Sequence, residues 1–424
     1  MPAALLIGVA VGLLILSAPI FLAILVGTLV SFEIHRPMMP SIVMAQRLVE
    51  GVNIFSILAV PLFIFAADII SRGEIGARLI ALMESLVGHI RGGLAIATVL
   101  TCAMFGAISG IGAAAVVSIG PIVYPSLIRN GYAPGFVVGL ILTSSTLSML
   151  IPPSVAMILY SVQVSASVAS VFLAGLSAGA ILVVALAIYC YIYALRRRVG
   201  TAPRASGGAR LVAIRRAALP LGLPVLIFGG IYGGVFTPTE AAAAACVYAA
   251  VVETLIFRRL RLRDLFGVSR ASAMTIATLL ILIAAGGTMT WYLTLERVPA
   301  MLAAGMADVP AAVVLLAINI LFLVIGMFID PNSAVIVLSP LIAPTAAAIG
   351  VDPVHLGAIV VFNLAIGMIS PPFGLNIFIG MTTFQISYVQ VVRNVLPFIA
   401  VTIACLLVVT YVPAVVMWLP GLRG

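Results

Sequence analysis

Two pairs of consecutive prolines lie inside long apolar stretches and could create binding chemistry within a membrane. They are Pro152-Pro153 and Pro371-Pro372. A proline in a helix interior removes a backbone hydrogen bond and clashes with the preceding turn, so each stretch must break at its pair. Such a break frees carbonyl oxygens that suit Na⁺, and it exposes half-helix N-termini that suit an anionic group. The spacing therefore predicts one ion site at each break.

Polar and small residues gather at these breaks and at two further interruptions of the apolar sequence. We assign them to two sodium-binding groups and one substrate-binding group, with no cofactor other than the coupling ion. The first sodium group is Ser109, Gly110, Gly112, Ser144, Ser145 and Pro152. The second sodium group is Asp330, Asn332, Ser333, Asn363, Ser370 and Pro371. The substrate group is Ser154, Gly374 and Asn376.

Each assignment competes with a purely structural explanation. A serine inside a membrane helix often bonds its hydroxyl back to its own helix. Asp330 is the most informative single residue, because a carboxylate inside a predicted membrane hairpin is costly and functional by default. Its structural alternative is a helix N-cap at the hairpin tip.

The remaining titratable residues favour structural roles. Glu240 follows a break and begins a helix, which indicates a cap. Asp68 and Arg72 are four residues apart and could form an ion pair on one helix face. The three histidines lie at predicted membrane interfaces and form no ligand cluster, and they are His35, His89 and His355. No converging catalytic groups and no nucleotide-binding motif are present, so an intramembrane enzyme and direct use of ATP are both disfavoured.

The elements that position these residues must be membrane-embedded, as the composition shows. Hydrophobic residues make up 64% of the 424 residues and charged residues only 8%, against about 25% charged in soluble domains. Mean hydropathy is +1.32. The composition excludes a soluble enzyme, a nucleic-acid-binding module and a sizeable extramembrane domain, and it makes the lipid bilayer the main surroundings of the chain.

The basic residues report topology. The net charge is +9, all basic residues are arginines, and two clusters occupy 196–216 and 258–270. Basic loops stay on the cytoplasmic side, so both clusters, the first in a Gly/Ser-containing loop, are placed there. The first apolar run lacks a preceding basic region, which favours a retained membrane segment over a cleaved signal peptide. The four cysteines are dispersed in apolar segments and are interpreted as core residues.

An internal repeat relates the two halves of the chain. A shift of 219 residues superposes every proline of 121–161 on another proline: Pro121 on Pro340, Pro125 on Pro344, Pro134 on Pro353, and Pro152-Pro153 on Pro371-Pro372. We therefore predict two repeats, 1–210 and 211–424. Arginines bracket 92–129, whereas Asp308 and Asp352 bracket 311–349. This difference indicates that the repeats are inverted, a recurrent plan of secondary transporters.

The predicted fold is an all-α integral membrane protein with inverted repeats, two re-entrant hairpins and two broken helices. The hairpins are 92–128, with its tip at 109–112, and 311–349, with its tip near 330–333. The broken helices are 134–163 and 354–384. Other spans are expected at 3–18, 20–35, 53–70, 168–195, 217–235, 240–257, 271–292 and 395–419. This count places both termini outside, unless 3–35 is one long bent helix.

Several motifs resemble the large membrane subunit of tripartite ATP-independent periplasmic (TRAP) transporters over almost the full length. The motifs are Val60-Pro61-Leu62-Phe63-Ile64, Phe105-Gly106-Ala107-Ile108-Ser109-Gly110, Ile151-Pro152-Pro153-Ser154, Gly233-Gly234-Val235-Phe236-Thr237-Pro238-Thr239-Glu240, Gly326-Met327-Phe328-Ile329-Asp330 and Pro371-Pro372-Phe373-Gly374. One departure concerns the first hairpin tip, which is often Ser-Gly-Ser-Ser in that family and is Ser109-Gly110-Ile111-Gly112 here. With fewer hydroxyls there, backbone carbonyls would contribute more of any coordination.

The resemblance implies an elevator-type importer in the bacterial inner membrane, driven by a sodium gradient. A soluble periplasmic binding protein would deliver a small carboxylate, and a separate small four-helix membrane subunit would bind the scaffold. The alternative is a stand-alone anion symporter or exchanger of the same superfamily, which needs no binding protein. Neighbouring reading frames for the two partners would separate these hypotheses. The sequence does not identify the substrate, because discrimination would reside largely in the binding protein.

Overall fold

The computed structural model describes residues 2–199, 201–306 and 308–422, and within these ranges every regular element is a helix. The predicted all-α class is confirmed. The first eleven helices are α1 Pro2–Ile15, α2 Ile20–His35, α3 Ile42–Val52, α4 Ala59–Ser71, α5 Ile75–Val87, α6 Gly93–Ser109, α7 Gly112–Arg129, α8 Pro134–Ser145, α9 Leu147–Leu150, α10 Val155–Val164 and α11 Val168–Arg197. The others are α12 Gly207–Tyr232, α13 Pro238–Val251, α14 Leu262–Leu295, α15 Val298–Gly305, α16 Ala311–Phe328, α17 Pro331–Ala348, α18 Pro353–Gly367, α19 Leu375–Phe384, α20 Tyr388–Tyr411 and α21 Ala414–Gly421.

Helix length and apolarity establish a multi-pass membrane protein. Among the described residues, eight helices are long and apolar enough to cross a membrane, or ten if each of two bent pairs counts as one span. A crossing needs about 20 apolar residues. Large apolar side chains remain exposed along these helices, for example Val225 on α12 and Val247 on α13. Lipid is the environment that such surfaces require.

Two helical hairpins lie where the sequence predicted them. Helices α6 and α7 form the first hairpin, with its tip at residues 110–112. Of these, Gly110 and Ile111 lie outside the helices. Helices α16 and α17 form the second hairpin, with its tip at residues 329–332. The bounds of α17 lie 219 positions after those of α7, and each helix contains two prolines at matching positions. The inverted orientation of the repeats stays a prediction.

The two proline pairs break their helices as predicted. The first break, residues 151–154, separates α9 from α10, and the second break, residues 368–374, separates α18 from α19. The Pro152–Pro153 and Pro371–Pro372 peptide bonds are both cis. All residues of α18 from His355 to Gly367 are buried, which is the property of a helix enclosed by protein on every side. The first break is fully buried, whereas the second break exposes Pro372 and Phe373.

The two halves differ in the long helices that flank the hairpins. In the first half, α3 and α4 form a pair bent by 57°. In the second half, α14 is one continuous helix of 34 residues, so the predicted span 271–292 was too short. The predicted start was too late because the first residues of α14 are polar. Asp264 accepts a hydrogen bond from the Arg261 amide, and the helix begins about two turns before residue 271. Short helices α5, α15 and α21 were also missed, since they are too short for a span.

Three further expectations need correction. The alternative of one bent helix over 3–35 is wrong, because Ser17 has a φ of 64° and α1 and α2 lie side by side as a hairpin. The basic segment near Arg210 is not a loop. It belongs to α12, which begins at Gly207 after Ser206 accepts a hydrogen bond from the Ala209 amide. The last span ends at Tyr411, and α21 follows after a break at Val412 and Pro413.

Candidate functional site

A central cavity of about 130 Å³ lies where both tips and both breaks meet. The first tip contributes Gly110 and Gly112, and the second tip contributes Asp330 and Asn332. The flanking helices α4 and α14 close the cavity with Ile64, Thr275 and Leu279. Four of the residues predicted from sequence therefore share one cavity, although they are up to 222 positions apart in the chain.

Four half-helices begin at this cavity, and their N-terminal ends determine its electrostatics. They are α7, α10, α17 and α19, whose first residues or next neighbours line the cavity. The amides of α17 are capped by Asp330, and those of α10 by Ser154. No side chain caps α7 or α19. Backbone carbonyl oxygens already accept from the first amides of α19, Met368 from Asn376 and Gly374 from Ile377, both at 2.9 Å. The positive end of the helix dipole still favours an anion at both helix ends.

Three buried hydroxyls beside the first break lack a hydrogen-bond partner. The oxygens of Ser109, Thr143 and Ser144 are fully buried, and no described atom lies within bonding distance of them. Buried polar groups are normally paired, so each unpaired oxygen requires an explanation. A bound cation is one chemical solution, because hydroxyl oxygens are hard ligands of the kind that sodium takes.

Glycine at the first tip allows the hairpin to contact the break. Gly110 adopts a φ of +64°, and a Cβ atom there would lie closer than 3.0 Å to the Pro153 carbonyl oxygen. At Gly112 the nearest atom to such a Cβ would be the Ser145 carbonyl oxygen, at 3.2 Å. The tip is therefore fitted against carbonyl oxygens of the first broken span.

The second tip is built around Asp330. Its carboxylate accepts hydrogen bonds from the amides of Asn332 and Ser333, both at 3.1 Å, and from the Ser333 hydroxyl. The structural alternative foreseen for Asp330, a helix cap, is thus realised at the edge of the cavity. Asp330 caps α17 and lines the cavity at once, so capping does not exclude an electrostatic role.

The serine hydroxyl of the second broken span is paired. Ser370 donates to the Ile366 carbonyl oxygen at 2.8 Å, which is the back-bonded arrangement foreseen for serines. Gly374 lies against the carbonyl oxygens of Met368 and Ser370 at the start of α19. Pro371 interrupts the helix between them. Backbone carbonyl oxygens therefore supply most of the polar surface at this break.

Asn363 connects the second broken span to a polar cluster that sequence reasoning missed. Its amide nitrogen donates to Asn319 Oδ1 at 2.7 Å, and Asn319 donates to Thr410 Oγ1 at 3.1 Å. Asn363 Oδ1 has no partner among the described atoms. The sequence offers one signal for Asn319 and Thr410, which is that both are polar residues within apolar spans.

Asn376 joins the two broken spans directly. Its Nδ2 donates to Ser145 Oγ at 2.9 Å, and Ser145 in turn donates to the Leu142 carbonyl oxygen at 2.6 Å. Asn376 Oδ1 is buried and unpaired. The residue predicted to bind substrate thus lies at the junction of the two predicted sodium groups.

Of the predictions made for Glu240 and Asp68, one is confirmed and one is wrong. Glu240 accepts from the Thr237 amide at 2.8 Å and Thr237 caps α13, so the predicted cap is confirmed. The predicted pairing of Asp68 with Arg72 is wrong. Asp68 instead accepts from the Ser272 hydroxyl of α14 at 2.5 Å, because the side chain faces α14 and Arg72 terminates the helix.

A larger groove of about 670 Å³ lies between α11, α20 and α21. Its lining is apolar except for Ser177 and the Cys405 thiol, and Trp418 lies at its rim. The Ser177 hydroxyl donates to its own helix, to the Leu173 carbonyl oxygen at 3.2 Å, and the described lining contains no basic side chain for an acid. The central cavity therefore remains the candidate functional site.

Comparison with known proteins agrees with this architecture. Residues 6–415 match the family model "Tripartite ATP-independent periplasmic transporter, DctM component". The chain is 41% identical over 413 residues to the ectoine/5-hydroxyectoine TRAP transporter large permease protein UehC of Ruegeria pomeroyi, covering 97% of this chain and 96% of that protein. It is 37% identical over 383 residues to the C4-dicarboxylate TRAP transporter large permease protein DctM of Pseudomonas aeruginosa, covering 90% of each.

Among solved structures, the chain is similar to the YdaH transporter of Alcanivorax borkumensis, with a TM-score of 0.63 and 14% identity. The match covers 90% of this chain and 87% of that chain, and at this identity it shows the fold alone. The family match and the relatives extend over the hairpins, the breaks and the flanking helices together. The chain belongs to the DctM family and is a TRAP transporter large permease subunit.

Proposed function

We propose that this permease imports a small organic anion, a carboxylate, into the cell in symport with sodium. A periplasmic binding protein delivers the substrate, and a small four-helix membrane subunit binds the flanking helices. The assembly resides in the bacterial inner membrane. The hairpins and broken spans move as one body in an elevator mechanism, and the flanking helices form the scaffold.

One observation carries the proposal: uncapped helix N-termini meet at the central cavity, and unpaired buried oxygens lie in the first hairpin and in the two broken spans that contribute to its lining. The N-terminal ends of α7 and α19 carry no capping side chain, and their positive helix dipoles suit a carboxylate. The unpaired oxygens of Ser109, Ser144 and Asn363 suit a cation. An anion pocket with adjoining cation ligands is the arrangement that anion–cation symport requires.

The donor set fits sodium. Ser109, Thr143 and Ser144 would hold one ion with carbonyl oxygens of the first break, and Asn363 and Asn376 would contribute to the second with carbonyl oxygens near Ser370. Each bound ion supplies a positive charge close to the substrate carboxylate. Asp330 orients the second tip through its cap, and Asn332 presents an amide to the cavity.

The relatives support the substrate class. Their names specify ectoine and 5-hydroxyectoine, C4-dicarboxylates and isethionate, which are small organic compounds with a carboxylate or sulfonate. The described lining of the cavity contains no arginine or histidine. We therefore infer that helix N-termini and sodium, not a basic side chain, balance the charge of the acid.

The test is the thermal stability of the purified chain, titrated with NaCl against KCl and choline chloride at equal ionic strength. A ligand that binds only the folded state stabilises it by about 2.7 kcal/mol at 100 times its dissociation constant. We expect a saturable rise in Tm with NaCl alone. Equal curves in the three salts would contradict sodium binding by this subunit. Uptake with and without the binding protein then separates the tripartite importer from a stand-alone symporter.

A further inference from the structure

Asp68 is a membrane-embedded carboxylate that the proposed sites do not use. It lies in the last turn of α4, and no arginine or histidine among the described residues forms an ion pair with it. Its side chain has one polar partner, the Ser272 hydroxyl of α14. An ionisable group in a membrane span is expensive and marks an ion or substrate pathway by default.

The position of this pair relative to the cavity follows from helix geometry. Ile64 lies one turn before Asp68 on α4, and Thr275 lies one turn after Ser272 on α14. Residues three or four apart share a helix face. Because Ile64 and Thr275 both line the central cavity, the Asp68–Ser272 pair forms the next layer beyond it.

This layer lies on the cytoplasmic side of the cavity. Helix α4 continues from Asp68 to Arg72, and the following turn carries Glu74, which is paired with Arg78 and Arg259. Arginine clusters mark the cytoplasmic face. The Asp68–Ser272 pair therefore stands between the cavity and the cytoplasm.

A seam of hydroxyls continues from this layer along the junction of α4 with hairpin helix α7. Ser71 donates to the Asp68 carbonyl oxygen at 3.0 Å, and Ser118 of α7 donates to the Ser71 carbonyl oxygen at 3.3 Å. The neighbouring residue Val117 is apolar and 55% exposed, which in a membrane-spanning helix indicates contact with lipid. The polar groups are thus confined to the surface between the hairpin and the flanking helix.

We propose that Asp68 and Ser272 form a cation-binding station at the inner exit of the central cavity, and that the coupling sodium ion passes it on the way to the cytoplasm. The inference rests on the proposed sodium symport. A hydrogen bond that merely joined α4 to α14 would not require a charge, whereas an exit for cations does. The station holds the ion through the carboxylate and the serine hydroxyl, after the ion has left the oxygens of the breaks.

The test measures the reaction of a thiol at residue 118 with two membrane-impermeant methanethiosulfonates, one cationic and one anionic. The full chain with Ser118→Cys is studied in lipid nanodiscs, where both faces meet the buffer, and Val117→Cys is the matched lipid-facing control. We expect the Ser118→Cys variant to react faster with the cationic reagent. The rate with the cationic reagent should fall about tenfold when Asp68→Asn is added, the effect expected of one unit charge at roughly 10 Å with an effective dielectric constant of about 20. Ser272→Ala keeps the charge and should keep the preference.

Sodium provides a second readout that needs no change at Asp68. Replacing KCl with NaCl should slow the cationic reaction of the Ser118→Cys variant severalfold and leave the anionic reaction unchanged. The proposal is overturned if neither reagent reacts at residue 118, if residue 117 reacts equally fast, or if Asp68→Asn leaves the preference intact. If sodium coupling itself is wrong, the unsubstituted chain shows a flat thermal response to NaCl. The rate of the thiol reaction is then the same in NaCl and KCl, although it still changes with Asp68→Asn. This result contradicts the part of the inference that concerns sodium.

Discussion

Replacing Gly110 by alanine tests whether contact between the first tip and the first break creates the sodium site. Gly110 has a φ of +64°, and a Cβ there would lie closer than 3.0 Å to the Pro153 carbonyl oxygen. The left-handed backbone alone costs an L-residue about 1–2 kcal/mol. The overlap adds about 1–3 kcal/mol. Because the tip is short, we expect the second cost to be relieved by movement of the tip away from the break.

Gly131 provides a matched control in the turn after α7. It has a φ of +85° and no atom within 4 Å of its hypothetical Cβ. Gly131→Ala therefore carries the backbone strain without the overlap. The difference between the variants isolates the contact with Pro153.

The assay is the midpoint of sodium-dependent thermal stabilisation for the purified variants in detergent. Both should lose a similar small amount of stability in KCl. Only Gly110→Ala should shift the sodium midpoint, by about tenfold to a hundredfold, the equivalent of about 1–3 kcal/mol. A Gly110→Ala protein with the sodium midpoint of the unsubstituted chain would refute a sodium site that depends on this contact.

Four further substitutions address the remaining parts of the site and the ion pairs of Glu74 outside it. Asp330→Asn retains a capping side chain, so the free energy of unfolding in KCl should change by less than about 1 kcal/mol. The sodium dependence of uptake should weaken. An unchanged sodium response would remove Asp330 from the site. Asn363→Leu should raise the sodium midpoint severalfold because it deletes an unpaired oxygen. Ser370→Ala deletes a hydroxyl that is bonded to its own helix, so it should change the midpoint less than twofold. Equal shifts in the two titrations would contradict this assignment. Hydrogen bonds from two arginines lower the pKa of Glu74 below its ordinary value of 4.5, so its stabilisation is present above that value and is lost as the pH falls through the lowered pKa. Glu74→Gln should therefore cost about 0.5–1 kcal/mol at neutral pH and nothing in strong acid, as measured by unfolding at both pH values.

The architecture was predictable to the extent that it is encoded by local chemistry. Consecutive prolines forbid helix wherever they occur, so both breaks were located within a few residues. The 219-residue shift of prolines then predicted the position of α17 from that of α7. Short helices such as α5 carry no such local signal, because thirteen residues with polar positions do not resemble a span.

The site was less predictable, because it depends on contacts between distant residues. Ser145 and Asn376 were assigned to different groups, yet they share a hydrogen bond across 231 positions. Asp68 meets Ser272 across 204 positions, whereas sequence reasoning paired it with the adjacent arginine. Neither contact leaves a pattern in the spacing of the residues, since both are consequences of how the halves pack.

The hydrogen bond between Ser145 and Asn376 also has a thermodynamic consequence. It couples the end of α8 in one repeat to the start of α19 in the other, so a shift of either residue alters the geometry offered by its partner. Linkage requires such coupling to be reciprocal: whatever the first sodium ion does to the affinity for the second, the second does equally for the first. Removal of this one amide should accordingly make the sodium affinities of the two proposed sites independent of each other, without abolishing either site.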